Sequence, residues 1–296
     1  MTGIWSEERV VPDELLSIGA AAQRLGVSAS TLRSWERRYG ISGPQRTTGT
    51  HRRYSAADLA RLSAMLQLTR TGMPVGQAAA LVVTAAATRP GQAGLAELAD
   101  RLAGATEDMD AAHITAILHV ALLRHGVIVT WNELLMPLLI RVGDRWREHG
   151  DGVDAEHVLS DAAQAVLRSH ARPRPPAVAS PVLLLAVPGE RHTLPLAALS
   201  AALAEQGVAT VLLADLPAAD LTHALSRLRP AKVLVWARNS GAPGSGTLRA
   251  LRQLGRQIYA AGPGWDPSTL PPAVPHLSSF AAALRALGPP AQARPA

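Results

Sequence analysis

Apolar positions recur along this chain in two rhythms, and the change of rhythm divides it. Up to His170 the spacing is helical. Ile18, Ala22 and Leu25 line one face of a short helix, and Gly26-Val27 turns the chain. Leu32, Trp35 and Tyr39 line a second helix, and Leu59, Leu62, Met65 and Leu66 a third over about 56–71. Gly72-Met73-Pro74 breaks that run, and a short helix through 77–81 follows. Four further stretches then come in turn. They carry Leu95, Leu98 and Leu102; Ile114, Ile117, Leu118, Val120 and Leu122; Leu134, Leu135, Leu138, Leu139, Val142 and Trp146; and Val158, Ala162, Val166 and Leu167. Joined by short polar turns, they predict a four-helix bundle over 92–172.

After the proline-rich stretch 171–180 the texture changes to short continuous apolar runs at 182–187, 209–214 and 232–237. Each is followed by a helical stretch, at 194–205, 218–228 and 247–254. Strands buried on both faces and alternating with helices predict a doubly wound parallel sheet over 180–289, Rossmann-like in class. A fourth strand near 257–260 and a last helix over 279–287 complete it. The chain is therefore multidomain, α and α/β, with a head over 1–88 in front of the bundle.

The head carries the clearest chemistry. Ser28 caps the second helix, from which Arg33, Arg37 and Arg38 project, and Gly49 to Tyr54 follows as a basic wing. Two short helices about a glycine turn, with arginines on the second, form a helix-turn-helix that lays its second helix in the major groove of duplex DNA. Nine arginines lie between Arg24 and Arg70 against Glu36 and Asp58, so the segment is strongly positive. The bland alternative is a solvated basic helix pair. The candidate DNA contacts are Ser30, Thr31, Arg33, Trp35, Arg37, Arg38, Tyr39, His51, Arg52, Arg53 and Tyr54. No heptad run follows the head, so self-association is expected from the downstream domains, as a homo-oligomer (dimer or tetramer).

Composition narrows the rest. The 296 residues contain no cysteine, which excludes disulfides, thiolate metal sites and a cysteine nucleophile. The net charge is +6, carried almost wholly by arginine, which suits a phosphate-facing partner. No segment approaches about 20 uninterrupted apolar residues, and the N-terminus is acidic rather than a signal peptide. A cytoplasmic, nucleoid-associated protein with no membrane partner and no enzymatic role is expected.

In an open parallel sheet, ligands sit beyond the carboxyl ends of the strands. The loop there is Pro188-Gly189-Glu190-Arg191-His192, with no Gly-x-Gly-x-x-Gly fingerprint for a dinucleotide. Glu190 and His192, two apart, lie on one side of an extended loop. A carboxylate fixes the imidazole tautomer and makes its other nitrogen the better metal ligand. Taken alone, such a pair is more often a solvated loop. In the bundle, Trp146 closes one helix and Glu156-His157 open the next, so indole, carboxylate and imidazole could meet at one end. A core Trp beside a helix-start carboxylate is the equal alternative. The histidines at 113, 119, 125, 170, 223 and 276 show no compact ligand spacing and read as core or surface.

The run from Leu25 to Gly40, with Trp35-Glu36-Arg37-Arg38-Tyr39-Gly40, and the wing Gly49-Thr50-His51-Arg52-Arg53-Tyr54-Ser55 resemble the head of the MerR family of transcriptional regulators. The wording is similar to the cobalamin-linked, light-responsive CarH/LitR branch. Trp146, nine residues, then Glu156-His157 resembles that branch's cap signature, and Glu190-x-His192 its Asp/Glu-x-His-x-x-Gly motif. The resemblance implies a DNA-binding repressor that clasps adenosylcobalamin, with a double-stranded operator as partner. His192 would be the lower cobalt ligand, Glu190 its polariser, and Trp146, Glu156 and His157 the cover of the upper face. Light would break the cobalt–carbon bond, change the oligomer and release DNA. Several positions depart from the pattern. Pro195 replaces a glycine, Ala237-Arg238-Asn239 follows Trp236 where Ser-x-Leu is expected, and Ala261-Gly262-Pro263-Gly264 stands for Gly-Gly. Arg147 follows Trp146 where relatives can offer a histidine, with His149 as substitute candidate. Two alternatives remain: a degenerate cobalamin-like domain answering another ligand or a protein partner, and a corrinoid methyl-transfer subunit, which has no need of a DNA head.

Overall fold

A computed structural model describes residues 15–41, 53–70, 73–87, 92–149, 153–171, 180–216, 218–239, 247–249, 251 and 255–289. The chain divides into two compact units, Met1–Gly94 with His119–Arg124, and Leu95–Leu118 with His125–Ala296.

In the first unit, α1 (Ile18–Leu25) begins where the Ser17 hydroxyl accepts from the Ala20 amide. It stops at Gly26, whose φ of 68° returns amide bonds to the last turn. The Ser28 hydroxyl caps α2 (Ala29–Tyr39) at the Thr31 amide, and Gly40 ends it the same way. Helix α3 (Ala56–Arg70) starts on a reciprocal capping box, the Ser55 hydroxyl to the Asp58 amide and the Asp58 carboxylate to the Ser55 amide. Burial pushes the Asp58 carboxyl up, but these bonds and Arg61 outweigh it and hold it below its ordinary value. Helix α4 runs over Val75–Ala87, longer than the short helix predicted, because no glycine or proline interrupts residues 77–87. Strands β1 (Leu16–Ser17) and β2 (Arg53–Tyr54) pair antiparallel. Leu32, Leu62, Met65 and Tyr54 are fully buried.

The second unit takes most of α5 (Gln92–Glu107) and all of α6 (Ala111–Val129) but His119–Arg124. Helix α6 continues through a π turn (Thr130–Leu135) into α7 (Met136–His149). Helix α8 (Val153–His170) follows. The polar turn expected between the second and third bundle helices is absent. The path is broken instead at Gly126, with φ 72° and ψ 176°. The π turn comes just before Pro137, which cannot donate an amide into the helix and clashes with a regular preceding turn. Ala111–Arg145 is long and apolar enough to cross a membrane by composition, but half of its most apolar window is buried in the protein, as in a core helix.

The sheet comprises β3 (Val182–Ala186), β4 (Thr210–Leu213), β5 (Lys232–Trp236), β6 (Gln257–Ala261) and β7 (His276–Leu277). They lie in the order β4-β3-β5-β6-β7, all parallel. The two-residue β7 is too short to have stood out as an apolar run. Leu183, Leu185, Val233, Val235 and Ile258 face α10 (Ala218–Leu228) and residues 248 and 251 across one core. On the other face lies α9 (Leu194–Glu205), with every residue from Leu196 to Leu203 buried. A helix apolar all round is enclosed on more than one side. Here the sheet and α11 (Phe280–Leu287) pack against α9, and so does α8 of the bundle. Trp131 of the π turn also stacks on Phe280, with ring centroids 5.8 Å apart.

Gly126→Ala is expected to destabilise this unit by about 1–3 kcal/mol, because its dihedrals lie in a region open essentially to glycine alone. Thermal unfolding of the full chain is the check, and an unchanged midpoint would contradict it.

Candidate functional site

The carboxyl ends of β3 and β5 flank the point where the strand order reverses, between a strand whose chain leaves towards β4 and one whose chain leaves towards β6. There the chain leaves β3 through Val187, and the Glu190 amide turns back to the Val187 carbonyl. The Glu190 side chain is buried, at 1% exposure, while that of His192 is 49% exposed. Glu190 Oε1 accepts from the His192 amide at 2.8 Å and from His192 Nδ1 at 2.7 Å. Glu190 Oε2 accepts from the Arg238 amide, just past β5, at 2.8 Å. Burial raises the Glu190 carboxyl, but the Arg238 and His192 donors and the His192 charge outweigh it and hold it below its ordinary value. Because Nδ1–H is committed to Glu190, Nε2 of a neutral His192 carries the lone pair. It has no hydrogen bond to any described residue.

A second brace was not legible in the sequence. Asp215, beyond β4, adopts φ 55° and its Oδ1 accepts from the Gly189 amide at 3.0 Å. The His192 loop is thus held from the ends of both strands adjoining β3. Only the left-handed backbone of Asp215 marks it, and a sequence does not display that.

The bundle meets this region through α8. Gln164 Nε2 donates to Thr193 Oγ1 at 2.9 Å, directly after His192. His157 is seven residues nearer the start of α8, so it lies on the same face about 10 Å further along. Glu156 is half-buried, and His157 is exposed with Nδ1 donating to the Val153 carbonyl. No hydrogen bond joins either to Glu190 or His192 among the described residues. Trp146 lies in α7, and its side chain, like that of His149, lies outside the described residues. At the far end of α9, the Glu205 carboxylate accepts from the Val127 amide at 3.1 and 3.2 Å and from His170 Nε2 at 3.0 Å. His170, read as a plain core or surface residue, is therefore part of the contact between bundle and sheet.

The departures noted at the strand ends take physical form. Gly264 N donates to the Ala237 carbonyl at 2.9 Å. A Cβ on Gly262 would stand 2.2 Å from that oxygen, and one on Gly264 2.6 Å from the Asn239 carbonyl. These glycines close the loops after β5 and β6 backbone on backbone. Trp236, flanked in register by Ala186 and Ala261, has a buried Nε1 without a hydrogen-bond partner among the described residues.

In the head, Arg33, Arg37 and Arg38 are exposed on α2. The Ser30 and Thr31 hydroxyls both lie 2.7 Å from Ser28 Oγ at its start. Trp35 and Tyr39 are half-buried, on the face of α2 that buries Leu32. Tyr54 departs from expectation. It is fully buried and its hydroxyl donates to Glu36 at 2.6 Å, so it ties β2 to α2 and presents no ring to a duplex. Arg53 is exposed and one guanidinium nitrogen donates to the Leu15 carbonyl. His51 and Arg52 lie outside the described residues.

Comparison with known proteins finds matches in both units. A family profile described as "MerR HTH family regulatory protein" matches residues 16–82, and one described as "B12 binding domain" matches residues 98–169. The HTH-type transcriptional repressor CarH of Myxococcus xanthus is 30% identical over 225 residues, 72% of this chain and 75% of that protein. CarA of the same organism, also an HTH-type transcriptional repressor, is 32% identical over 219 residues, 73% of this chain and 74% of that protein. A cobalamin-binding protein from Desulfitobacterium hafniense DCB-2 overlays with a TM-score of 0.34 at 16% identity, over 62% of this chain and 93% of that one. That overlay is too slight to bear on the reading.

The Glu190 carboxyl is held below its ordinary 4.5, so its contribution to stability is present above that pH and is lost as pH falls through the lowered value. Glu190→Gln should therefore be less stable than the wild type at pH 7, with the difference shrinking as pH falls below the ordinary carboxylate range through the lowered value. Urea unfolding across that range reads it, and a pH-independent difference would contradict it.

Proposed function

Because the chain belongs to the MerR family of helix-turn-helix transcriptional regulators, in its cobalamin-binding CarH type, we propose that it is a repressor whose DNA affinity is set by a corrinoid held at His192. The observation that carries the reading is His192 itself, half-exposed at the strand reversal: one nitrogen is fixed by a buried carboxylate, and the other has no partner among the described residues. The donor set fits the group. A corrin ring supplies the equatorial nitrogens of its cobalt, so a single protein nitrogen suffices, and no three His, Asp or Glu side chains converge among the described residues. Glu190 orients the ring and raises the basicity of Nε2. The start of α8, with Glu156 and His157, and the end of α7, with Trp146, would enclose the upper face. When bound, adenosylcobalamin supplies a cobalt–carbon bond that light can cleave.

The head's part is electrostatic. Arg33, Arg37 and Arg38 on α2 would enter the major groove, with Ser30 and Thr31 at the helix start and Arg52 and Arg53 at the wing. Affinity built on phosphate neutralisation falls steeply with salt, so one head alone binds weakly and several linked heads gain by effective concentration. A homo-oligomer, dimer or tetramer, formed by the downstream unit would convert ligand state into operator occupancy, in the cytoplasm on the nucleoid. One observation favours a second reading. The bulky Trp236 stands at the carboxyl end of β5, within 3.0 Å of where a Cβ on Gly262 would lie, and the loops after β5 and β6 are closed backbone on backbone, which leaves less room beside the strand ends for a large ligand. In that case the sensory half answers a different ligand or a protein partner.

Two measurements test this. Full-length protein mixed with adenosylcobalamin in the dark and desalted should keep its colour, shift to a histidine-ligated spectrum and change under green light; His192→Ala should abolish the shift while leaving the far-ultraviolet CD intact. A colourless wild type would sink the corrinoid reading in favour of the second. Arg37→Ala and Arg38→Ala should each weaken operator binding and lower the slope of log K against log salt by about one per lost phosphate contact. Unchanged binding in both would remove α2 as the DNA-contacting helix.

A further inference from the structure

Glu205 occupies a place where an acidic side chain is locally unfavourable. It is the last residue of α9, at the negative end of the helix dipole, and no basic residue lies in that last turn. Its surroundings compensate. Gly126 breaks the α6 path, so the helix restarts at Val127 with an amide that has lost its helical acceptor. Both Glu205 oxygens receive that amide, and Oε1 also receives His170 Nε2 from the end of α8. A Cβ at residue 126 would stand 3.4 Å from Glu205 Oε2, an ordinary contact, so it is the backbone turn and not the approach that requires glycine. One carboxylate thereby joins the sheet domain to two separate bundle helices.

We propose that Glu205 is the positioning residue that seats the bundle over the strand ends. The polar contacts between α8 and α9 are unequal. Among the described residues, the His192 end has the amide-to-hydroxyl bond from Gln164 to Thr193, while at the far end a carboxylate takes donors from α6 and α8. Along the apolar seam of α8 and α9 the stronger polar hold is therefore at Glu205, and the start of α8, carrying Glu156 and His157, is the far arm of that lever. The inference concerns the ligand-free chain and draws on the proposed function only for what the bundle covers.

The test uses the full chain without ligand. Amide exchange by mass spectrometry should show residues 127–135 exchanging about tenfold faster in Glu205→Ala, with strands β3 and β5 unchanged. Glu205→Gln, which keeps a carbonyl acceptor, should restore part of the protection, and Glu205→Asp, one methylene shorter, should not. The chain has no cysteine, so Asp154→Cys and Asp220→Cys give a clean spin-label pair between the exposed start of α8 and α10. Their distance distribution should be narrow with Glu205 present and broad in Glu205→Ala. Unchanged exchange at 127–135 overturns the proposal. Faster exchange with an unchanged distance also overturns it, leaving Glu205 a local cap. Neither result depends on whether a corrinoid binds, so a failure here is distinct from a failure of the ligand reading.

Discussion

A carboxylate buried to 1% exposure is tolerable only if donors replace the water it has lost, and Glu190 has three. That requirement organises the ligand end of the molecule. The amide of Arg238 can reach Glu190 only if β5 lies beside β3 in the observed register, with Ala186 opposite Trp236. The His192 amide can reach it only if the loop doubles back, and the imidazole then has one orientation left. The apolar core sets the sheet, and within it satisfying that one charge requires this neighbour order, this loop shape and this tautomer. With Asp215 holding Gly189 from the other side, the loop has little freedom to place Nε2 elsewhere.

The bundle is coupled to this arrangement through α9, which begins just after His192 and ends at Glu205. Its first turn is reached by Gln164 and its last by His170, both on α8, so the two helices run in the same sense along their contact. An apolar seam between polar contacts at each end fixes direction as well as proximity, since sliding α8 by a turn would strand both ends. Trp131 against Phe280 adds a contact from the π turn, where the helix is already wound to accommodate Pro137.

Much of this was legible before any coordinates. Helical spacing with Ser28, Gly26 and Gly40 as punctuation marked α1 and α2, because caps are local chemistry. Continuous apolar runs marked three of the five parallel strands and a shorter apolar stretch a fourth, because strands inside a covered parallel sheet carry few polar positions to confuse the pattern. Glu190 and His192 were found together because their pairing spans only two residues. What was hidden depends on partners distant in sequence. Glu205 acquires its role from Gly126 and His170, and Asp215 from Gly189. Tyr54 looked like part of a basic wing because its neighbours are arginines, yet its hydroxyl is taken by Glu36, eighteen positions earlier. Gly126 fell in the join expected between two helical stretches, and nothing local showed that the helix would resume at once on its far side.

The enclosure of α9 bears on modularity. A proline-rich stretch between α8 and β3 invites the view that bundle and sheet are separate cassettes joined by a tether. Yet α9 is greasy on the face it turns to the sheet and on the face it turns to α8. A sheet domain cut free would expose a stripe of leucine and alanine to water, and a bundle cut free would leave the Val127 amide without its acceptor. The exchangeable piece in domain shuffling, or in grafting this sensor onto another DNA-binding head, is therefore bundle and sheet together. Recombination at the proline-rich stretch would yield two sticky halves, whereas a junction just before α5 would keep that seam whole.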